Sequence, residues 1–166
     1  MIKIPEKEGR LSAAKAAHIE AVIAFVKRKT EGYRRDLFAN ISRVMLVSGT
    51  FEDMSARDDW SWLSDFILAD VKTLKQMIGR PELLQFDEFK RMYSDYFSAG
   101  SDKYVDASTK YNAYMFIENL GVTICPYCDE EYLDVVENGN GGKLRTLEID
   151  HFFPKGKISG ARNVLL

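Results

Sequence analysis

Two short clusters toward the C-terminal end carry side chains able to do chemistry. They are Cys125-Pro126-Tyr127-Cys128 and the run Thr146–Lys157, with Asp150 and His151 side by side and Lys155 soon after. A histidine beside a carboxylate can act as a general base next to a metal ligand, because imidazole titrates near neutral pH without help. Two cysteines at this spacing read as metal ligands or redox thiols in a reducing compartment, not as a structural staple. Redox pairs of this spacing need a βαβ setting, and helical patterns precede this one, so zinc is the favoured reading. The clusters can meet only if the chain between them folds back.

The sequence between them predicts that fold-back. Tyr132–Val136 is strand-like, 138–142 reads Asn-Gly-Asn-Gly-Gly, and Leu144–Ile149 alternates again, which is the signature of a β-hairpin. Upstream, the hydrophobic period is helical. Ile19, Val22, Ile23 and Val26 mark a first helix from Ser12 to about Arg28, and an i, i+4 stripe from Tyr33 predicts a second helix to about Ser48, stopped by Gly49. Asp58 or Asp59 can cap a third helix whose stripe runs from Leu63 to Ile78, ending at Gly79 and Pro81. A fourth helix covers about Glu82–Phe97, and a fifth starts near Asp102 and carries Ala107, Tyr111, Tyr114 and Met115 to Gly121. The fold class expected is mainly α: residues 1–120 form a bundle of five amphipathic helices with an aromatic core, and residues 121–166 form a small Cys-knuckle β-hairpin region.

Composition excludes several classes. The 166 residues are 46% apolar and 29% charged, which fits a globular chain with a core and not a disordered one. No apolar run approaches the ~20 residues of a membrane span, and MIKIPEKEGR lacks the apolar core of a signal peptide, so no membrane partner and a cytoplasmic location are expected. Net charge is −2, and from Gly121 onward there are five Lys/Arg against seven Asp/Glu, so contact with nucleic acid must come from local patches. The one dense basic cluster, Lys27, Arg28, Lys29, Arg34 and Arg35, reads first as a solvated face and second as a phosphate-contacting one. His18 has no ligand-spaced companion and reads as a surface or satisfied core histidine. Trp60 and Trp62 read as packing residues.

CPYC, a hairpin, EIDHFFPK and a later Asn-Val-Leu together resemble the HNH endonucleases, the ββα-metal nucleases, and in layout the branch with a helical N-terminal region from anti-phage systems of the Septu and retron-associated type. The motif covers Thr123–Leu166 only. The resemblance implies a metal-dependent DNA endonuclease acting in phage defence, with DNA as substrate and an ATPase as partner protein. On its terms His151 is the base that activates water, and Asp150 and Asn163 hold a catalytic Mg²⁺ or Mn²⁺. Lys155 contacts the substrate phosphate, and Cys125 and Cys128 hold a structural Zn²⁺. Glu148, two residues before Asp150 on one strand face, is a further candidate ligand.

The chain also departs from the pattern. A zinc knuckle needs four ligands, and the second cysteine pair, the closing helix and the last signature residue of the family are not within these 166 residues. Asp129-Glu130-Glu131 stands where the family carries Asn/Arg character. The expectation is an incomplete ββα finger, weak or inactive in this form. The competing reading is a non-catalytic helical interaction module with a degenerate metal finger.

Overall fold

The computed structural model describes residues 9–70, 72–73, 91–97, 103–121, 135–137 and 143–145, the last two segments as backbone. Among these the chain is mainly helical. In order come α1 (Arg10–Lys27), α2 (Glu31–Met45), α3 (Phe51–Ala56), α4 (Ser61–Ile67), a π-helical segment (Met92–Phe97), α5 (Ala113–Leu120), and strands β1 (Val135–Glu137) and β2 (Lys143–Arg145). No helix of the described residues is long and apolar enough to cross a membrane. The described residues group into two units: one holds those up to Val22 and those from Met92 to β2, the other those from Ile23 to Arg91.

Helix α1 buries Ala14, His18, Ala21, Val22, Phe25 and Val26, the i, i+4, i+7, i+8 stripe of an amphipathic helix. The stripe is turned by one position from the one read in the sequence, since Ile19 and Ile23 are only half-buried. His18 takes the inward face because both of its ring nitrogens meet tyrosine hydroxyls there.

The unit of residues 23–91 is built by local capping. Thr30 accepts from the Tyr33 amide at 3.3 Å and starts α2. That helix ends at Leu46, in the left-handed region at φ 53°, and not at Gly49. Thr50 then accepts from the Asp53 amide at 3.2 Å while its hydroxyl donates to the Asp53 carboxylate at 2.8 Å, so 51–56 forms a short separate helix not foreseen from periodicity. Asp59 accepts from the Ser61 amide at 3.0 Å just before α4, but the cap position itself falls on Trp60, with no side-chain cap bond, where the sequence predicts Asp58 or Asp59. The long third helix expected up to Ile78 is corrected: α4 stops at Ile67, and Asp70 accepts from the Thr73 amide at 2.7 Å, a capping bond that begins a new turn. Apolar periodicity runs across such a break unaltered, which is why it reads as one helix. Phe38 sits at the centre, edge-on to Trp62 at 5.3 Å and tilted to Phe51 at 5.9 Å, over Leu37, Ile41 and Leu63.

In the other unit the expected fifth helix is also corrected. Residues 103–112 are not helical: Asp106 and Tyr111 face each other in an isolated antiparallel bridge, with the Val105 amide donating to the Tyr111 carbonyl at 2.9 Å and the Tyr111 amide donating to the Asp106 carbonyl at 3.1 Å. The Asp106 carboxylate, buried, accepts from the Ser108 amide and from the Ser108 and Thr109 hydroxyls at 2.7–3.2 Å. Short polar side chains bonding their own backbone compete with helix, and here they win. Asn112 is the true start of α5: its Oδ1 accepts from the Tyr114 and Met115 amides, and its Nδ2 donates to the Lys103 carbonyl. Gly121 closes α5 at φ 58°, against the Arg10 guanidinium, where a Cβ would collide.

Strands β1 and β2 pair antiparallel, Val135 opposite Arg145, Val136 opposite Leu144 and Glu137 opposite Lys143, and β1 runs near α5. The Cys125–Cys128 knuckle and the turn expected at 138–142 lie outside the described residues.

Candidate functional site

Each residue that the sequence assigns to catalysis or metal binding, Cys125, Cys128, Glu148, Asp150, His151, Lys155 and Asn163, lies outside the described residues. What is described of their surroundings is the antiparallel pair, which comes between Cys128 and Asp150 in the chain. Among the described residues no group of three or more His, Cys, Asp or Glu side chains is arranged to hold a metal ion.

One polar centre is described in full, and it is buried. His18, 5% exposed on α1, has its Nδ1 at 2.9 Å from the Tyr111 hydroxyl and its Nε2 at 3.1 Å from the Tyr93 hydroxyl. A neutral imidazole donates through one nitrogen and accepts through the other, so one phenol accepts from the ring and the other donates to it. Phe97 meets the ring edge-on at 5.3 Å, and Phe116 lies at 5.7 Å. Burial pushes the His18 pKa down to about 4 and pushes the phenols of Tyr93 and Tyr111 well above their ordinary value. At neutral pH all three groups are therefore uncharged. With both nitrogens engaged and the ring closed off from solvent, the cluster ties together three segments, α1, the π-helical segment and the 103–112 loop, and is not open to a substrate.

Sequence reading anticipates a satisfied histidine but not its partners. Tyr93 and Tyr111 are 75 and 93 residues from His18, and each looks from its own neighbours like one more ring in an apolar stripe. The available signal is a lone core histidine in a chain rich in tyrosine, which calls for a hydroxyl on each nitrogen.

Two cations of the basic cluster at the end of α1 and start of α2 pair with carboxylates. Lys27 pairs with Asp58 at 2.7 Å and lies 5.5 Å from the Trp60 ring, and Arg35 pairs with Glu31 at 2.9 Å and Glu52 at 3.4 Å. Arg28 and Lys29 lie over the Phe25 ring. Bonding from Lys27 and from the Trp60 indole holds the exposed Asp58 carboxyl below its ordinary pKa, so this pair stays charged through neutral pH. Exposed pairs of this kind are held weakly against solvent.

No family model, no curated protein and no solved structure matches this chain.

Proposed function

We propose that the chain is an HNH-type, metal-dependent DNA endonuclease or the N-terminal part of one. One observation carries the reading: the order of residues in a single stretch, CPYC, two segments joined as antiparallel strands, then EIDHFFPK and Asn163. Hydrolysis of a phosphodiester needs a nucleophilic water, a group to take its proton, and a cation against the charge that grows on the leaving oxygen. His151 takes the proton. Asp150 and Asn163 offer oxygen ligands suited to Mg²⁺ or Mn²⁺, and Lys155 meets a phosphate oxygen as a point charge. Cys125 and Cys128 supply two thiolates to a structural zinc, whose remaining ligands belong to the segment that closes the motif. A role in phage defence with an ATPase partner belongs to the same proposal.

The test uses the chain extended through the closing helix of the motif. Supercoiled plasmid incubated with Mg²⁺ or Mn²⁺ should be nicked or linearised, and chelation should stop the reaction. Asp150→Ala should weaken the metal site, with excess Mg²⁺ restoring part of the activity. Cleavage that persists in chelator would contradict the proposal.

The zinc assignment has its own consequence. Changing Cys125 and Cys128 together to serine should lower the zinc content measured by native mass spectrometry. The helical circular dichroism should survive, because the aromatic stripes lie before Gly121 in the sequence. Loss of most helical signal on that double change would mean that the finger, and not the aromatic packing, holds the helices together.

A further inference from the structure

The segment Met92–Phe97 is π-helical, a form that is rare and geometrically poorer than the α-helix and that persists where neighbouring contacts select it. In an α turn the residue above Met92 is Tyr96, four positions on. In a π turn bonded five apart, it is Phe97. Burial follows the π register: Met92 is 0% and Phe97 1% exposed, while Tyr96, next in sequence, is 41% exposed. An aromatic ring that the ordinary helix would bury is turned outward so that its neighbour can be buried instead.

Three ring contacts select Phe97. It lies edge-on to His18 at 5.3 Å, 6.1 Å from Tyr111 in a stacked pair, and 5.9 Å from Phe116. Tyr93, on the same segment, is bonded to His18 through its hydroxyl at 3.1 Å. The imidazole thus grips the segment twice, through a hydrogen bond at Tyr93 and through ring packing at Phe97.

We propose that Met92–Phe97 is a one-residue register switch, able to close as a π turn with Phe97 over Met92 or as an α turn with Tyr96 there, and that His18 is the latch holding the π form. The two forms exchange one buried ring for another, so the alternative is a folded state and not an unfolded one. The π form amounts to an α-helix carrying one inserted residue. Removing one residue from it should therefore restore an α turn without disturbing Phe97.

Two measurements on the full chain test this. In the first, tyrosine nitration by tetranitromethane is mapped by peptide mass spectrometry. The parent chain should react at Tyr96 and be protected at Tyr93 and Tyr111. Tyr93→Phe keeps the ring but frees the latch, so nitration of Tyr96 should fall several-fold while Tyr111 stays protected. Unchanged nitration of Tyr96 would overturn the switch. So would exposure of Tyr111, because the switch requires a folded alternative. In the second, deletion of the exposed Asp95 should leave the thermal midpoint close to that of the parent and Tyr111 protected. Deletion of the exposed Glu20 from α1, which rotates Ala21, Val22, Phe25 and Val26 off their face, should lower the midpoint strongly. Equal damage from the two deletions would overturn the inserted-residue account.

Discussion

Acidification from about pH 6.5 to about pH 4 should remove about 3 kcal/mol of folding stability through His18 alone. The native pKa lies at about 4 against an ordinary value of 6.5, because burial penalises the imidazolium. The sign follows from which state binds the proton. Above pH 6.5 the ring is neutral in both the folded and the unfolded chain, and its contribution is complete. As pH falls below 6.5 the unfolded chain takes up a proton that the native cluster resists, so stability declines until the native ring titrates as well, near 4. The carboxylates of Asp58, Asp59 and Asp70, held below their ordinary pKa by hydrogen bonds, add their own losses only at lower pH. Urea unfolding followed by circular dichroism across this range isolates the histidine. The chain has two histidines, so His151→Ala should retain the slope and His18→Gln should flatten it. A slope that survives in His18→Gln would mean that the buried cluster does not govern acid sensitivity.

The mainly helical class was legible because Ala-rich and aromatic stripes recur at helical spacing, and α1 and α2 form close to where those stripes lie. The boundaries were less legible, for local physical reasons. At Asp70 a capping bond interrupts an apolar pattern that continues through it, and at Thr50 a capping bond starts a helix of six residues, too short for periodicity to mark. At 103–112 the spacing of Ala107, Tyr111 and Tyr114 suits a helix, but the Asp106 carboxylate gathers Ser108 and Thr109 into a loop. The π register at 92–97 could not be read at all, since it depends on which of two adjacent rings fits beside His18, a residue far away in the chain. Of the candidate sites, the polar cluster was partly visible: His18 reads as a surface or a satisfied core histidine, and the hydroxyls that decide for the core come from distant segments. The proposed site residues Asp150, His151 and Asn163 come from the resemblance carried by the sequence, and their chemistry is tested by activity.

The largest expected effect is on catalysis, and it rests on His151. In the chain extended through the closing helix, His151→Ala removes the proton acceptor and leaves the oxygen ligands Asp150 and Asn163 in place. General bases of this kind contribute about 10²–10⁴-fold, so the rate should fall by that factor while the metal remains bound. Asp150→Ala should behave oppositely, with weakened metal binding that added Mg²⁺ partly offsets. The contrast separates a base from a ligand, which loss of activity alone cannot do.

The most direct measurement is single-turnover cleavage of a labelled DNA duplex by the chain extended through the closing helix and by its His151→Ala variant at saturating Mn²⁺, with metal occupancy determined on the same samples. A rate lower by about 10²–10⁴-fold at equal occupancy is the result the account predicts. Equal cleavage rates for the two proteins would contradict it.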